Sequence, residues 1–501
     1  MSLLLFVAVT GLGGVAALAA RRREGVAQLV GIVAMTVALV AALALRPGDT
    51  VDVAGQAFGL TLYSRNLVVL VTAGLLLATL IGVATAPARA LAPAALLVLG
   101  ASAATLAATE APTALLLVVA TGTLALLAAW DAERTRALPL VLARDLRATV
   151  VAGGLGIVAA AGIIQAGVQV AVPEALFGMA YVAMAGAVAI RFGTIPLHLW
   201  VGRMADVVPT VAVSLSTVIA PAVLALVALT WIDGAVFPFL LPLEVERATI
   251  VLLALLTLLL GAVAAWIQDD LEHLVGYSIA QDAGLVLLAL AVVDTSAWIP
   301  GRIWIAVLVL VKIAFASWAH ALSSAYGTRR IEDLRGWARR SPLLAVSLVV
   351  VAIATVGVPG ILVWDVRATL VGLAVEWPLS IVAGVGAFAA VLYYGRLLLT
   401  GLGRPTESVA SGVGERPVGI TPASTDLPGR VHQARSLTQA NRGLIAGLLT
   451  LAVALMSLAV AGGGFGIDQA AGGDGTVSGG YADTGGPEPG AGPTGAESAS
   501  P

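Results

Sequence analysis

Lysine occurs once in the 501 residues of this chain, at position 312, within the apolar stretch IWIAVLVLVKIAFASWAH. A lysine in low-dielectric surroundings can lose its proton near neutral pH, whereas arginine stays protonated. We therefore expect Lys312 to bind and release a proton. The alternative is that Lys312 only pairs with a buried carboxylate such as Asp282.

Two arginines share this apolar setting. Arg191 lies in AIRFGTIPLHLW, shortly before a proline, and Arg367 lies in VPGILVWDVRATL, just after a Gly-Val-Pro-Gly sequence. If these stretches cross a bilayer, each charge near its centre costs about 2.5–3.5 kcal/mol on insertion scales. One such residue alone could be structural, paired with a carboxylate or capping a broken helix. Three such charged residues favour a path for ions across the membrane. We therefore expect Lys312, Arg191 and Arg367 to lie together in a hydrated layer near the centre of the bilayer.

Other polar residues could assist proton movement. Asp282, in YSIAQDAG, is expected well inside a helix and could carry protons. His198, in PLHLW, follows a predicted helix break and could relay protons, or could be a structural histidine. Glu272 and His273, in DDLEHL, are expected near the membrane boundary and in contact with solvent.

The composition describes a membrane protein. The chain is 59% hydrophobic and 11% charged, whereas soluble domains are about half apolar and a quarter charged. It has no cysteine and four histidines, so thiolate metal sites and cysteine-ligated iron–sulfur clusters are excluded and a metal site is not expected. We predict no cofactor, and the net charge of −2 gives no sign of a nucleic-acid partner.

Apolar runs long enough to cross a bilayer recur along the chain, which predicts an all-α polytopic membrane protein of about 14 transmembrane helices. The sequences GTIP and GVPG predict breaks in the seventh and twelfth spans. If spans four to eight and nine to thirteen are inverted five-helix repeats, each break falls in the fourth helix of its repeat. If the N-terminus is outside, about nineteen basic residues lie in cytoplasmic loops and about four in external loops. The positive-inside rule therefore favours this orientation.

The predicted organisation has six parts. They are N-terminal transmembrane helices (1–91), a first repeat (92–232), a second repeat (249–402), a cytoplasmic loop (403–441), a C-terminal transmembrane helix (442–466) and a disordered tail (467–501) rich in Gly, Pro and Ser.

Three stretches together resemble a known family. Their order and spacing are similar to those of the antiporter-like proton-translocating membrane subunits of respiratory complex I, of the NADH:quinone oxidoreductase subunit N type, and of the related Mrp antiporters. The stretches are RFGTIPLHLWVGRMADVVPTVAVSLS, DDLEHLVGYSIAQDAGLVLLAL and RRIEDLRGWARRSPLLAVSLVVVAIATVGVPGILVWDVRATL.

The resemblance assigns positions to the deep cations. Arg191 falls where the family has the lysine of the broken seventh span, and Lys312 falls on the central lysine of the second repeat. Arg367 falls on the lysine or glutamate of the broken twelfth span. Each of these is implied by the resemblance alone.

The sequence also departs from that pattern. The glutamate of the family's fifth span has no counterpart in TALLLVVATGTLALLAAW. The lysine of the eighth span is replaced by Ala222, the histidine of the second repeat by Asp282, and a basic residue by Glu272. We therefore expect the proton path through the first repeat, the first half-channel, to lack its carboxylate and to be inactive.

Our leading hypothesis is a proton-translocating, antiporter-like subunit of a complex-I-type assembly in the bacterial inner membrane. Lys312 would bind and release the proton, and Arg191 and Arg367 would bias its pKa. His198 and Asp282 would be secondary proton carriers. Other membrane subunits would be its partners and would supply redox energy, since this chain is predicted to hold no redox site. A scaffold subunit without transport and an Mrp-type cation/proton antiporter are the alternatives.

Overall fold

The computed structural model describes residues 2–85, 88–129, 138–167, 174–204, 207–237, 241–404 and 430–472. Most of the predicted cytoplasmic loop and most of the predicted tail lie outside these residues. The described part is helical apart from a hairpin, in which Thr50 pairs with Gly59 and Val53 pairs with Gln56.

The first half of the described structure contains nine α-helices and the hairpin. In chain order they are α1 (Leu3–Ala19), α2 (Glu24–Leu43), β1 (Thr50–Val53), β2 (Gln56–Gly59), α3 (Leu62–Ala84), α4 (Leu91–Ala107), α5 (Ala111–Ala125), α6 (Leu138–Gly167), α7 (Glu174–Phe192), α8 (Val201–Met204) and α9 (Thr210–Ser214).

The second half of the described structure continues with helices only. They are α10 (Ala220–Trp231), α11 (Glu244–Trp266), α12 (Leu271–Ala291), α13 (Trp298–Tyr326), α14 (Trp337–Arg340), α15 (Pro342–Val356), α16 (Leu362–Ala374), α17 (Leu379–Phe388), α18 (Ala390–Leu402), α19 (Arg430–Ala461) and α20 (Ile467–Gly472).

The chain is a polytopic α-helical membrane protein, as predicted. Within the described residues, 12 helices are long and apolar enough to cross a membrane. The helices α4 and α15 are apolar but shorter. The predicted count of about fourteen spans is therefore not confirmed.

Three spans form the centre of the helix bundle. The most apolar windows of Thr210–Val236 and of Thr295–Tyr326 are 100% buried, and that of Leu271–Ala291 is 94% buried. In contrast, the window in Leu3–Arg22 is only 28% buried, as expected for a helix that faces lipid. Side chains of α10, α12 and α13 therefore meet other protein groups, and a polar residue on them needs a protein or water partner.

Both predicted helix breaks are present. Helix α7 ends at Phe192 and is followed by Gly193, whose φ is +62°. Helix α15 ends at Val356 and is followed by Gly357, whose φ is +79°. An inverted relation between the two halves stays a prediction.

Two irregularities were not predicted. Residues Leu215–Ile219, between α9 and α10, form a π-helical turn, and such turns are frequent at functional sites. The span predicted at residues 378–402 is divided into α17 and α18 around Ala389. Two carbonyls next to this division, those of Gly386 and Ala387, accept side-chain hydrogen bonds from other helices.

A polar joint fixes the start of α12. Asp270 caps the helix by accepting hydrogen bonds from the backbone N–H groups of Glu272 (2.8 Å) and His273 (3.4 Å). Arg329 lies 3.4 Å from Asp270 Oδ2 and donates to Glu272 Oε2 at 2.7 Å. Thr210 donates to Glu272 Oε1 at 2.5 Å. The expectation that Glu272 is solvated is therefore wrong, because its side chain is only 14% exposed and ties α9, α12 and the segment after α13 together.

We predict that Gly357→Ala destabilises the protein at the second break. With ψ at 162°, Gly357 occupies a region that is essentially restricted to glycine, and a Cβ there would lie 2.8 Å from the Trp364 nitrogen. A loss of about 1–3 kcal/mol is expected. It can be measured as a lower thermal midpoint in detergent. The matched control is Gly372→Ala, where a Cβ meets nothing within 4 Å. Equal midpoints for the two variants would contradict this prediction.

We predict a pH-dependent contribution from Asp270. Burial disfavours its carboxylate, but hydrogen bonds from His273 and Glu272 and the charge of Arg329 outweigh burial and lower the Asp270 pKa. A lowered pKa stabilises the fold above the unfolded value of about 3.9, and this stability is lost as the pH falls through the folded value. The difference in thermal midpoint between wild type and Asp270→Asn should therefore shrink below about pH 4.

The exposed Asp365 offers a control for this pH series. Its replacement by asparagine should leave the midpoint close to the wild-type value at each pH. A constant difference between wild type and Asp270→Asn down to pH 3 would refute the assignment to Asp270.

Candidate functional site

Lys312 pairs with a carboxylate in the centre of the protein. Its Nζ lies 2.6 Å from Asp282 Oδ2 and donates to Ser278 Oγ at 3.1 Å. Lys312, Asp282 and Ser278 are all 0% exposed. Ser278 and Asp282 are one turn apart on α12, so both side chains project from the same face. The amine of α13 therefore faces α12 and not lipid.

Arg367 binds the other oxygen of the same carboxylate. Its Nη2 lies 2.8 Å from Asp282 Oδ1, and its Nη1 donates to the Ala387 carbonyl beside the division between α17 and α18. The guanidinium also lies 4.3 Å from the centre of the Trp304 ring. Trp304 in turn donates to the Asp282 carbonyl at 3.2 Å. Because α16 starts after the break at Gly357, its first turns reach the bundle centre.

We call Lys312, Asp282 and Arg367 the Lys312 cluster. When all three side chains are ionised, the cluster holds two positive charges and one negative charge. Removal of one proton from Lys312 leaves Arg367 and Asp282 as a neutral pair. Arg367 cannot supply that proton, since arginine is always protonated in proteins. The cluster can therefore change its charge at Lys312 or Asp282.

Hydroxyl and amide groups surround the cluster. Gln281 donates to the Gly386 carbonyl at 3.0 Å and accepts from Tyr393 at 3.1 Å. The Tyr394 hydroxyl lies 3.1 Å from Thr355 Oγ1. Hydroxyls both donate and accept hydrogen bonds, so this group can pass protons. Sequence analysis missed it, although paired tyrosines in an apolar helix were a usable signal.

Arg191 belongs to a different ion pair. Its Nη1 lies 2.9 Å from Asp145 Oδ1, and the side chains are 1% and 0% exposed. The guanidinium lies 5.1 Å from the centre of the Trp200 ring, and Trp200 donates to the Ile190 carbonyl at 3.2 Å. The expectation that the three cations form one group is therefore wrong. Two separate carboxylates, on α6 and α12, divide them.

Asp145 was missed by sequence analysis. We expected the first half to lack a carboxylate, because the predicted fifth span has none. The carboxylate comes instead from α6, which begins at Leu138 and holds Asp145 inside the membrane-spanning length Leu138–Ile163. The arginines at 144 and 147 made this stretch look like a loop. A helical period through these residues would have placed Asp145 away from both arginines, on the buried face.

His198 belongs to neither ion-pair group in the described contacts. It opens a short 3₁₀ turn after the first break and is half-buried. Its ring centre lies 5.9 Å from that of Tyr277. Its Nδ1 is buried without a partner among the described residues. Within the same residues, no group of three or more His, Asp or Glu side chains could hold a metal ion.

Comparison with known families gives a match over the centre of this structure. Residues 152–392 match the family described as NADH:quinone oxidoreductase/Mrp antiporter, transmembrane region. This segment, slightly less than half of the chain, is thus similar to the transmembrane region of that family. The segment holds Arg191, Asp282, Lys312 and Arg367, whereas Asp145 lies just before it.

Curated relatives match this chain over part of their length. NADH-quinone oxidoreductase subunit N 1 of Streptomyces griseus is 29% identical over 288 residues, which is 55% of each chain. Subunit N of Halorhodospira halophila is 29% identical over 229 residues, 44% of this chain and 46% of the relative. The matched part thus spans about half the length of these relatives.

Solved structures match the fold over nearly the whole chain. A chain of the Mrp complex from Dietzia sp. DQ12-45-1b has a TM-score of 0.70, with 18% identity and coverage of 96% of this chain and 97% of that one. A chain of respiratory complex I from Thermus thermophilus with bound aureothin has a TM-score of 0.64, with 19% identity and coverage of 90% and 97%. The antiporter-like fold is therefore shared with both kinds of complex.

We predict that Asp282 and Lys312 differ in their importance for stability. Asp282→Asn leaves two buried cations without a counter-charge and should destabilise the protein by about 3–5 kcal/mol. Lys312→Met leaves Arg367 and Asp282 as a neutral pair and should be tolerated much better. Thermal midpoints in detergent test this order, with the exposed Asp365→Asn as control. A larger loss for Lys312→Met than for Asp282→Asn would contradict the charge assignment.

Proposed function

We propose that this chain is a proton-translocating, antiporter-like membrane subunit of a complex-I-type NADH:quinone oxidoreductase assembly. The observation that carries the proposal is the fully buried Lys312 cluster, in which one carboxylate is shared by a lysine and an arginine. A buried ionisable residue in a membrane span marks an ion path by default. The match of residues 152–392 to the NADH:quinone oxidoreductase/Mrp antiporter family supports protons as the ion that moves.

Lys312 is the titrating group in this proposal. It is the only lysine of the chain, and lysine can release its proton where arginine cannot. Its Nζ lies 2.6 Å from Asp282 Oδ2, so we assign this carboxylate as the acceptor of its proton. Ser278 accepts from Lys312 and donates to the Val275 carbonyl, so it holds the amine in place.

Asp282 and Arg367 set the charge around that proton. When Lys312 transfers its proton to Asp282, both groups become neutral and Arg367 remains as the positive charge. Arg367 thereby keeps one positive charge beside Asp282 in both states. Its bonds to Ala387 and Asp282 hold it in place during the exchange.

The first half of the structure takes part through the Arg191–Asp145 ion pair and through His198. Arg191 and Asp145 supply a buried ion pair beside the first break. His198 follows the same break, and its Nδ1 is buried without a partner among the described residues. We assign His198 the role of a secondary carrier.

The assembly provides the driving energy. Other membrane subunits of a complex-I-type enzyme are the partners in this proposal, and redox chemistry in those subunits drives the proton. The bacterial inner membrane is the proposed location. This chain supplies buried charges, hydroxyl groups and helix breaks, and we assign it no cofactor and no nucleic-acid partner.

Two other functions have specific support. The TM-score of 0.70 with a chain of the Mrp complex fits a cation/proton antiporter subunit. Ala222, which takes the place of a family lysine, fits a scaffold without transport. Sodium dependence of transport distinguishes a cation/proton antiporter from the proposed function. The proton-to-electron ratio distinguishes a scaffold from it.

We predict that Lys312→Met and Lys312→Arg both abolish proton transport through this subunit. Methionine carries no proton, and arginine keeps the charge but cannot release it. A loss of about 100-fold in the rate of proton transfer is expected for removal of a proton-transfer group. The measurement is the proton-to-electron ratio of the assembled complex in proteoliposomes, with Asp365→Asn as control.

The outcomes separate the three functions. A ratio that falls in both Lys312 variants, with assembly intact and no sodium requirement, supports the proposal. An unchanged proton-to-electron ratio in both variants indicates a scaffold subunit without transport. Transport that requires sodium identifies a cation/proton antiporter.

A further inference from the structure

The end of α17 presents two backbone carbonyls to the interior near the Lys312 cluster. Helix α17 ends at Phe388, and the last four carbonyls of a helix lack their usual partner within it. Two of these carbonyls, those of Gly386 and Ala387, accept hydrogen bonds from fully buried side chains of other helices. Gln281 on α12 donates to Gly386 at 3.0 Å, and Arg367 on α16 donates to Ala387.

These contacts form two parallel links between α12 and the end of α17. The first link is direct, from Gln281 Nε2 to the Gly386 carbonyl. The second passes through Arg367, which lies between the Ala387 carbonyl and Asp282 Oδ1, 2.8 Å from its Nη2. Gln281 and Asp282 are neighbours in the sequence, as are Gly386 and Ala387. The length of the direct link therefore sets the width of the gap that the guanidinium spans.

Gln281 has the chemistry that this position needs. A glutamine amide donates through its nitrogen and accepts through its oxygen. Here Nε2 is bonded to Gly386, and Oε1 accepts from the Tyr393 hydroxyl at 3.1 Å. Gln281 and Tyr393 are both 0% exposed. The Tyr393 hydroxyl thereby fixes which end of the amide faces the carbonyl.

Helix α11 supports both ends of the direct link. A Cβ at Gly261 would lie 2.8 Å from Gln281 Cα, so the backbones of α11 and α12 are in close contact at this residue. A Cβ at Gly386 would lie 2.9 Å from Leu258 Cβ, which places the end of α17 against the same helix. Gly261 and Leu258 are one turn apart on α11. One helix thus backs both partners of the Gln281–Gly386 bond.

The guanidinium of Arg367 has few other anchors. Its Nε is buried without a partner among the described residues. The ring centres of Trp304 and Phe388 lie 4.3 Å and 5.9 Å from its Cζ. Such rings attract the charge but do not fix the direction of its N–H groups. The bonds to Asp282 and Ala387 therefore determine where the positive charge lies.

We infer that Gln281 is a positioning residue for the Lys312 cluster. Its bond to Gly386 fixes the separation of α12 and α17, and this separation allows Arg367 to hold Asp282 and Ala387 at the same time. Without the bond, the guanidinium keeps only one of its two partners. The inference rests on the proposed function, because the place of this charge matters only if Lys312 and Asp282 exchange a proton.

The test compares Gln281→Leu with Gln268→Leu in the assembled complex in proteoliposomes. Gln268 is the matched control, because its Nε2 also donates to a backbone carbonyl, that of Ala264 at 2.8 Å, but in the segment after α11. The measurement is the proton-to-electron ratio as a function of pH. A charge next to an ionisable group moves the pKa of that group by about 1–3 units. We therefore expect Gln281→Leu to shift the pH of half-maximal ratio by about one unit and Gln268→Leu to keep the wild-type value.

Two further measurements separate positioning from packing. Tyr393→Phe keeps the Gln281–Gly386 bond and removes the group that orients the amide, so it should shift the pH of half-maximal ratio in the same direction by a smaller amount. A high-resolution map of the Gln281→Leu complex should show the guanidinium displaced by about 1 Å, a misplacement large enough to impair a transfer step. A map in which Arg367 keeps both partners would overturn the inference. A ratio that falls only with the amount of assembled complex, at an unchanged pH of half-maximal ratio, would also overturn it.

The two proposals fail differently. If Lys312→Met lowers the ratio but Gln281→Leu keeps the wild-type ratio and pH dependence, the positioning role is wrong and the proposed function stands. If Lys312→Met leaves the ratio unchanged, the proposed function fails and the role of Gln281 in transport fails with it. The map of the Gln281→Leu complex then decides by itself whether Gln281 holds Arg367 in place.

Discussion

The structure depends on one carboxylate shared by two cations. Asp282 holds Lys312 at 2.6 Å and Arg367 at 2.8 Å, with all three side chains fully buried. An uncompensated charge in such surroundings is strongly unfavourable, so α12, α13 and α16 must meet at this point. The hydroxyl, amide and ring groups around the cluster follow from the same constraint, because each satisfies or shields one of its atoms.

The helix breaks bring polar groups to the bundle centre. A continuous helix in place of α15 and α16 would carry the Arg367 side chain past the level of Asp282. The break at Gly357 lets α16 start anew inside the protein, and the division between α17 and α18 leaves the Ala387 carbonyl for Arg367 and the Gly386 carbonyl for Gln281. Irregular backbone in a membrane protein is stable only where such partners are present.

The sequence predicted the Lys312 cluster better than the Asp145–Arg191 pair. Lys312, Asp282 and Arg367 stand out because a charge within a long apolar run has few explanations, and the family resemblance gave their order. Asp145 was not found, because neighbouring arginines concealed the start of α6. The division of Arg191 from the other cations depends on which helix supplies each carboxylate, and hydropathy carries no information on helix neighbours.

The two groups differ in charge and therefore in what they can do. Asp145 and Arg191 form a neutral pair, and Arg191 cannot release a proton. The Asp145–Arg191 pair can thus change its protonation only at the carboxylate. The Lys312 cluster has one positive charge more and a lysine that can release it. A proton that leaves Lys312 relieves an excess positive charge, whereas a proton taken up at Asp145 creates one beside Arg191. Under the proposed function, this asymmetry makes the first half a place of transient passage and the second half the place where a proton is held.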